Sequence, residues 1–275
     1  MTIPFLTLTG VDENTSISRI KELASDGVEF AILLTADPEG RNRYPQLDFI
    51  KYAINKLDGN CAVHVCGKRA RELVMNDLSL NSWLGTVRRI QFNGACTEQD
   101  VDRWLTEFPT TAIITQHSAK NPSPRVDDIR HHILVDGSRG RGLTPLKWEA
   151  PVIGTLKYVG YAGGLGLDNL HIHLPKIEDA ANGKAFWIDM ESSLRTNDWF
   201  DAAVAEAVIT ALTIWRAKAN DDALVESFAD LIQYEVGYFN GWSVSQDAER
   251  AACVRAAKCI ALRQLGIQAQ RMYKK

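Results

Sequence analysis

The residues best placed to do chemistry close short apolar runs. Thr9, Thr35, Cys66, Gln91 with Asn93, Thr115, Asp136, the pair Gly163-Gly164 and Asp189 all stand at such ends. Asp136 and Asp189 matter most, because a carboxyl at a partly dry mouth has its pKa raised toward the working range of a general acid. The stretch Tyr161-Ala162-Gly163-Gly164-Leu165-Gly166-Leu167-Asp168-Asn169-Leu170 follows an apolar run and opens a segment with helical spacing. A strand, a glycine pair and a helix start in that order make a phosphate cradle, since glycine lets backbone N–H groups approach an anion closely. Arg43, just past the second run, has the fork geometry that pairs with a carboxylate or phosphate. Taken singly, each has a plainer reading: a cap or turn for the aspartates, a tight turn for the glycines and a solvated loop for the arginine.

Something must hold these residues together, and the pattern of the chain supplies it. Strands are predicted at Pro4–Thr9, Glu29–Thr35, Cys61–Cys66, Arg88–Phe92, Thr110–Thr115, His132–Asp136, Lys157–Ala162 and Ala185–Asp189. Amphipathic segments at Ser16–Asp26, Tyr44–Leu57, Lys68–Asp77, Glu98–Glu107, Leu167–Ala180 and Asp198–Ala219 predict the helices between and after them. Alternation of this kind gives parallel βαβ units. Eight strands favour a closed (β/α)8 barrel over an open doubly wound sheet, with the active site at the C-terminal strand ends. Pro122 and Pro124 leave room for at most a stunted helix over Ser118–Asp128, and Gly137–Gly154 is irregular. The barrel is assigned to residues 1–219 and a C-terminal helical extension to 220–275, with helices at Ala223–Tyr234 and Gln246–Gln264. Ala251, Val254, Cys259 and Leu262 give that extension one apolar face, for packing on the barrel or for a homo-oligomer contact.

Composition narrows the partners. Hydrophobic residues make up 45% and charged residues 24%, an ordinary globular balance. Net charge is −3 and the only basic cluster is the short tail Arg271, Lys274, Lys275, so no nucleic-acid footprint is expected. No run approaches the roughly 18 apolar residues of a membrane span, and Met1-Thr2-Ile3-Pro4 does not read as a secretory signal. The five cysteines, Cys61, Cys66, Cys96, Cys253 and Cys259, lack C-x-x-C spacing and read as reduced thiols of a cytoplasmic protein. His64 with Cys66, and His171-x-His173, complete no zinc ligand set, so neither metal nor cofactor is expected.

The ordered set of strand-end residues resembles the phosphoribosylanthranilate isomerase family, barrel enzymes that carry out an Amadori rearrangement in tryptophan biosynthesis. The resemblance covers roughly residues 3–205 and is strongest at Ala162-Gly163-Gly164-Leu165-x-x-x-Asn169-Leu170, which is similar to the family's seventh-strand phosphate motif. Gln91-Phe92-Asn93-Gly94 resembles its Gln-Leu-His-Gly, with Asn93 in place of histidine, and Arg43-Tyr44 resembles its Arg-Tyr. Leu134-Val135-Asp136, Gly140-x-Gly142 and Trp148 resemble the general-acid segment, its glycine-rich loop and its Phe-Asp-Trp. Ile188-Asp189-Met190-Glu191-Ser192-Ser193 resembles the strand-eight Asp-Val-Ser-Ser-Gly, and Asn197-Asp198 falls at its Lys-Asp.

The resemblance implies a phosphorylated small-molecule substrate without a cofactor. It makes Asp136 the acid and Arg43 the holder of an aromatic carboxylate. Gln91 and Asn93 would be substrate-binding, and Gly163, Gly164, Ser192 and Ser193 phosphate-binding. The chain departs from the family where Thr7-Leu8-Thr9-Gly10 replaces Lys-Ile-Cys-Gly, which puts Thr9 where the family has its general-base cysteine. A threonine hydroxyl has no usable pKa near neutrality, and losing a general base costs about 10²–10⁴-fold in rate. Ser193 replaces a glycine, Arg195 a glutamate and Lys147 an aspartate, and Arg195 could add to anion binding. Asp136, Thr9 and Asp189 are therefore the catalytic candidates, with Cys66 or Asp12 as substitute bases. Three functions fit: an isomerase of a phosphoribosylated amine, another reaction on a phosphosugar or nucleotide, and a non-catalytic relative that assembles through its last helices.

Overall fold

In a computed structural model the described residues are 4–25, 27–38, 40–118, 120–136, 138, 142–150 and 158–218. The strands are β1 (Leu6–Thr9), β2 (Val28–Leu34), β3 (Ala62–Val65), β4 (Arg89–Phe92), β5 (Ala112–His117), β6 (His131–Asp136), β7 (Val159–Ala162) and β8 (Phe186–Met190). All pair in parallel with their sequence neighbours, and β8 closes on β1 through Leu6↔Ile188, Thr7↔Asp189 and Leu8↔Met190. The fold is the expected (β/α)8 barrel.

Helices α1 (Ile17–Leu23), α2 (Leu47–Lys56), α3 (Lys68–Asn76), α4 (Leu78–Leu84), α5 (Glu98–Glu107), α6 (Leu170–Ala181) and α7 (Ala202–Lys218) follow their strands. Helix α5 shows how local the signals are. Thr97 and Asp100 form a capping box, and Val101, Trp104 and Leu105 turn one stripe inward. Trp104 then stacks on Phe92 of β4 at 3.8 Å between ring centroids. Helix α4 was not anticipated. Asp77 ends α3, and its carboxylate accepts from the N–H groups of Ser79 and Leu80, so one residue stops one helix and caps the next. Residues 120–130 contain no helix, in line with Pro122 and Pro124.

Two compact units divide the chain. The first, Met1–Leu165 with His173–Phe200, contains the barrel strands and a two-residue hairpin between β9 (Arg195–Thr196) and β10 (Trp199–Phe200). Its turn residues, Asn197 and Asp198, have φ of 53° and 61°, the left-handed pair that a tight hairpin needs and that Asn and Asp tolerate. The second unit is Gly166–Ile172 with Asp201–Lys275. In it the Asp201 carboxylate caps α7 by accepting from Ala203 and Val204 N–H. The helices expected at Ala223–Tyr234 and Gln246–Gln264, and the extension 220–275 that holds them, lie outside the described residues. Among the described residues no helix is long and apolar enough to cross a membrane.

The outer faces of the strands are apolar and buried (Leu6, Leu8, Phe30, Ile32, Val63, Val65, Ile90, Ile133). The interior is a different matter. Arg89 and Glu29, 1% exposed each, meet inside the barrel near the strand starts, with Nε 2.9 Å from Oε2 and Nη2 donating to Thr7 Oγ1 at 2.7 Å. The guanidinium also lies 4.6 Å from the Trp187 ring centroid, in cation–π range. Gly160 makes that layer possible, because a Cβ there would fall 2.1 Å from the Trp187 ring.

A buried ion pair need not add stability, but breaking one strands a charge. Glu29→Ala should therefore destabilise the barrel by about 3–5 kcal/mol, while Glu29→Leu combined with Arg89→Met should cost less than either single change. Urea unfolding measures both. A double variant as damaged as Glu29→Ala would mean that lost packing, and not an uncompensated charge, dominates.

Candidate functional site

Above the Arg89–Glu29 layer, period-2 alternation brings Thr9, His64, Gln91 and Asp189 to the same interior level. Thr9 Oγ1 donates to Asp189 Oδ1 at 2.8 Å, and His64 Nε2 lies 3.8 Å from Asp189 Oδ2 across the barrel. Gln91 Nε2 lies 3.4 Å from His64 Nδ1 and donates to Asn93 Oδ1 at 2.8 Å. Asn93 Nδ2 in turn donates to Cys66 Sγ at 3.3 Å. The chain of polar contacts thus climbs from a sealed middle layer to the mouth.

At the mouth is a cavity of about 660 Å³, with Arg43, Lys68, Arg71, Lys120, Asp136 and Glu191 in its wall together with Cys66, Asn93 and Gln116. Four of the predicted residues, Arg43, Cys66, Asn93 and Asp136, converge there. Asp136 Oδ1 accepts from both the N–H and the hydroxyl of Ser138, at 3.0 and 2.7 Å, which fixes the carboxyl. Arg43 is bound on both sides, to Glu191 Oε1 at 3.2 Å and Asp198 Oδ1 at 2.7 Å. The left-handed turn at Asn197-Asp198 is what delivers the second carboxylate.

Other predicted residues sit elsewhere. Thr9 is 1% exposed and hydrogen-bonded to Asp189, below the mouth. Gly163 and Gly164 take positive φ, 128° and 57°, as a tight turn requires. The space a side chain would need is filled by the chain itself: a Cβ on Gly164 would lie 2.5 Å from Thr144 N and 2.8 Å from Gly142 O. A Cβ on Gly142 would in turn lie 3.1 Å from Ser192 Oγ, and Ser193 Oγ donates to Leu165 O at 2.6 Å. Arg195, which departs from the resemblance and was expected to add to anion binding, is 4% exposed, paired with Asp12 at 3.2 Å and donating to Gly10 O. Contrary to the expectation from sequence, Arg195 and Asp12 neutralise each other inside the fold, so neither is presented to an anion or substrate. Trp148 lies edge-on to Tyr161 and donates to His173 Nδ1.

Burial sets the proton affinities. It raises Glu191 above the usual carboxyl range, Asp136 and Asp198 push the same way, and Arg43 and Arg195 pull back. A third of the Glu191 side chain (34%) remains exposed, so solvent moderates the shift. Burial pushes the Cys66 thiol up to about 12, with the charge of Glu191 adding to it, so Cys66 stays protonated and is no base at neutral pH. Sequence reasoning passed over Lys68, Arg71 and Lys120. Lys68 and Arg71 are three apart on α3 and so share a face, which was a readable signal. Lys120 comes from a separate loop and gave none. Among the described residues no group of three or more His, Cys, Asp or Glu is arranged to hold a metal ion.

The middle layer makes a pH prediction. Burial pushes Asp189 up to about 8, partly opposed by the Thr9 hydrogen bond and Arg89. Burial and then Arg89 push His64 down to about 3. Asp189 is raised on folding, so its contribution is full below the unfolded carboxyl pKa of ~3.9 and is lost as pH rises toward 8. His64 is depressed, so its contribution is full above the unfolded value of ~6.5 and is lost as pH falls toward 3. Between about 4 and 6.5 the folded pair holds one proton, on Asp189, and the unfolded chain holds one, on the histidine, so the two slopes cancel. From about 6.5 to 8 only the Asp189 slope remains, and stability should fall by about 1.4 kcal/mol per pH unit. Denaturant unfolding across this range should show the plateau and the decline. Asp189→Asn should remove the decline and expose a loss below pH ~6.5 from His64 alone; an unchanged profile would place the proton elsewhere.

No protein-family model matches the chain, and no curated protein matches it. Among solved structures it is similar to a rubisco-like protein from Burkholderia fungorum, at 12% identity and a TM-score of 0.43, covering 83% of this chain and 66% of that one. It is also similar to the UMP synthase of Leishmania donovani, at 15% identity and a TM-score of 0.37, covering 76% of this chain and 53% of that one. The chain thus spans less than two thirds of the length of either. Likeness at this level bears on neither substrate nor reaction.

Proposed function

We propose that the chain is an acid–base isomerase of a phosphorylated sugar, acting in the manner of phosphoribosylanthranilate isomerase. The observation that carries this reading is the pair Asp136 and Glu191. They come from the ends of β6 and β8, which are not neighbours, and both face the cavity of about 660 Å³. The charge of Asp136 is felt at Glu191.

An aldose-to-ketose rearrangement of a ring-closed glycosylamine needs two proton transfers. An acid protonates the ring oxygen as the C1–O bond breaks, leaving a C1 iminium. A base then takes the proton from C2, and the electron pair of that C–H bond moves to quench the iminium, giving an enolamine that tautomerises to the ketone. Asp136, which the resemblance makes the acid, faces the cavity held by Ser138. Glu191 supplies the base that Thr9 cannot, since burial raises its carboxyl and makes the ionised form a stronger proton acceptor than an ordinary carboxylate.

A second reading, a different reaction on a phosphosugar or nucleotide, is favoured by Thr9. It stands in sequence where the family has its base, but its hydroxyl is committed to Asp189 beneath the mouth. One assay separates the two. With phosphoribosylanthranilate the wild-type chain should consume the fluorescent substrate, and Asp136→Asn and Glu191→Gln should each lower kcat by about 10²–10⁴-fold. A wild-type chain inert toward that substrate, yet exchanging solvent deuterium into C2 of another phosphoaldose, would support the second reading.

A further inference from the structure

We propose that the substrate's phosphate is held on the β3–β5 side of the mouth by Lys68, Arg71 and Lys120, and not at the Gly163-Gly164 turn. The inference rests on the reading of the mouth cavity as the substrate site and adds where the anionic group lies within it. Three observations lead there. First, backbone atoms of residues 142 and 144 fill the space beside Gly164, and Ser193 Oγ is committed to Leu165 O. The glycines at that turn are accounted for by the chain's own packing.

Second, the cations of the cavity are not equivalent. Arg43 is answered by both Glu191 and Asp198. That leaves Lys68, Arg71 and Lys120 in the wall with Asp136 as the remaining carboxylate. Lys68 has a distant partner in Glu72, 3.7 Å away, with 82% of its side chain exposed. A cavity with a surplus of cations raises the local concentration of an anion and rejects a neutral analogue.

Third, the wall is shaped to bring a guanidinium close. Arg71 Nη1 donates to the carbonyl oxygen of Asn93, which fixes its plane and leaves about four of the five N–H donors of the fork. Gly94 has a φ of 99°, and a Cβ there would fall 2.7 Å from Arg71 Nη1. The left-handed φ favours glycine at this position, and the missing Cβ leaves the guanidinium room in the wall. The space beside Gly67, also in the wall, is open to at least 4 Å. Planar, paired donors together with two flexible ammonium groups in the same wall suit a phosphate monoester.

Titration calorimetry of the full chain with ribose 5-phosphate and with inorganic phosphate tests this. Lys68→Ala/Lys120→Ala, two exposed changes with no part in the core, should weaken both probes by about tenfold or more, the loss expected when charge-assisted hydrogen bonds go. Arg71→Met should do the same, while Ser192→Ala should leave both affinities unchanged. If only Ser192→Ala weakens them, or if wild-type chain binds neither probe, the inference falls. If the cation variants lose phosphate but Asp136→Asn leaves turnover intact, the inference stands and the proton-transfer reading of the mouth falls.

Discussion

A guanidinium and a carboxylate enclosed by eight strands set the terms for the rest of this barrel. Arg89 and Glu29 are shut off from bulk solvent, so each requires the other, and the pair requires Thr7, the face of Trp187 and the missing side chain of Gly160. Most barrels fill this level with branched apolar residues. Here the charge at the floor reaches the next level up, where Arg89 helps keep His64 neutral and works against the burial that protonates Asp189. A polar floor makes a polar middle tenable, and the polar middle leads through Gln91 and Asn93 to the mouth.

The mouth divides into two electrostatic halves. On one side Glu191, Arg43 and Asp198 form a closed set whose charges satisfy one another, held in place by the tight turn at Asn197-Asp198. On the other, cations gather at the start of α3 and after β5 with few carboxylates among them. Asp136 stands between. A substrate with one charged end and one reacting end fits that arrangement better than a neutral one. The division also explains why Arg43, a natural anion ligand by type, is better read as the residue that positions Glu191.

Much of the fold was legible in the sequence because its signals are local. Every predicted strand overlaps an observed one, and α5 occupies the predicted span because Thr97, Asp100 and Trp104 announce its start and its buried face. Helix α4 escaped because Asp77 serves two helices, so the boundary looked like an end. In the site, Asp136, Asn93 and Cys66 are legible as strand-end residues, and Arg43 as a forked cation in the loop past the second strand. What could not be read is convergence. Nothing in the spacing of Glu29 and Arg89, or of His64 and Asp189, says that they meet across a closed barrel. Thr9 and Asp189 were likewise correctly placed near strand ends, but only their 2.8 Å hydrogen bond shows that they face each other below the cavity. The glycine pair shows the converse limit: the sequence reveals that no side chain is tolerated there, but not whether a ligand or the chain's own loop takes up the room.

The central claim is that the substrate lies in the mouth cavity with its reacting carbons between Asp136 and Glu191. A crystal structure of the chain with bound ribose 5-phosphate tests it most directly. The account predicts phosphate density against Lys68, Arg71 and Lys120, with the first two sugar carbons directed at the carboxyl pair. Phosphate density in the turn formed by Gly163, Gly164 and Ser192, with residues 142–144 displaced to admit it, would contradict the account.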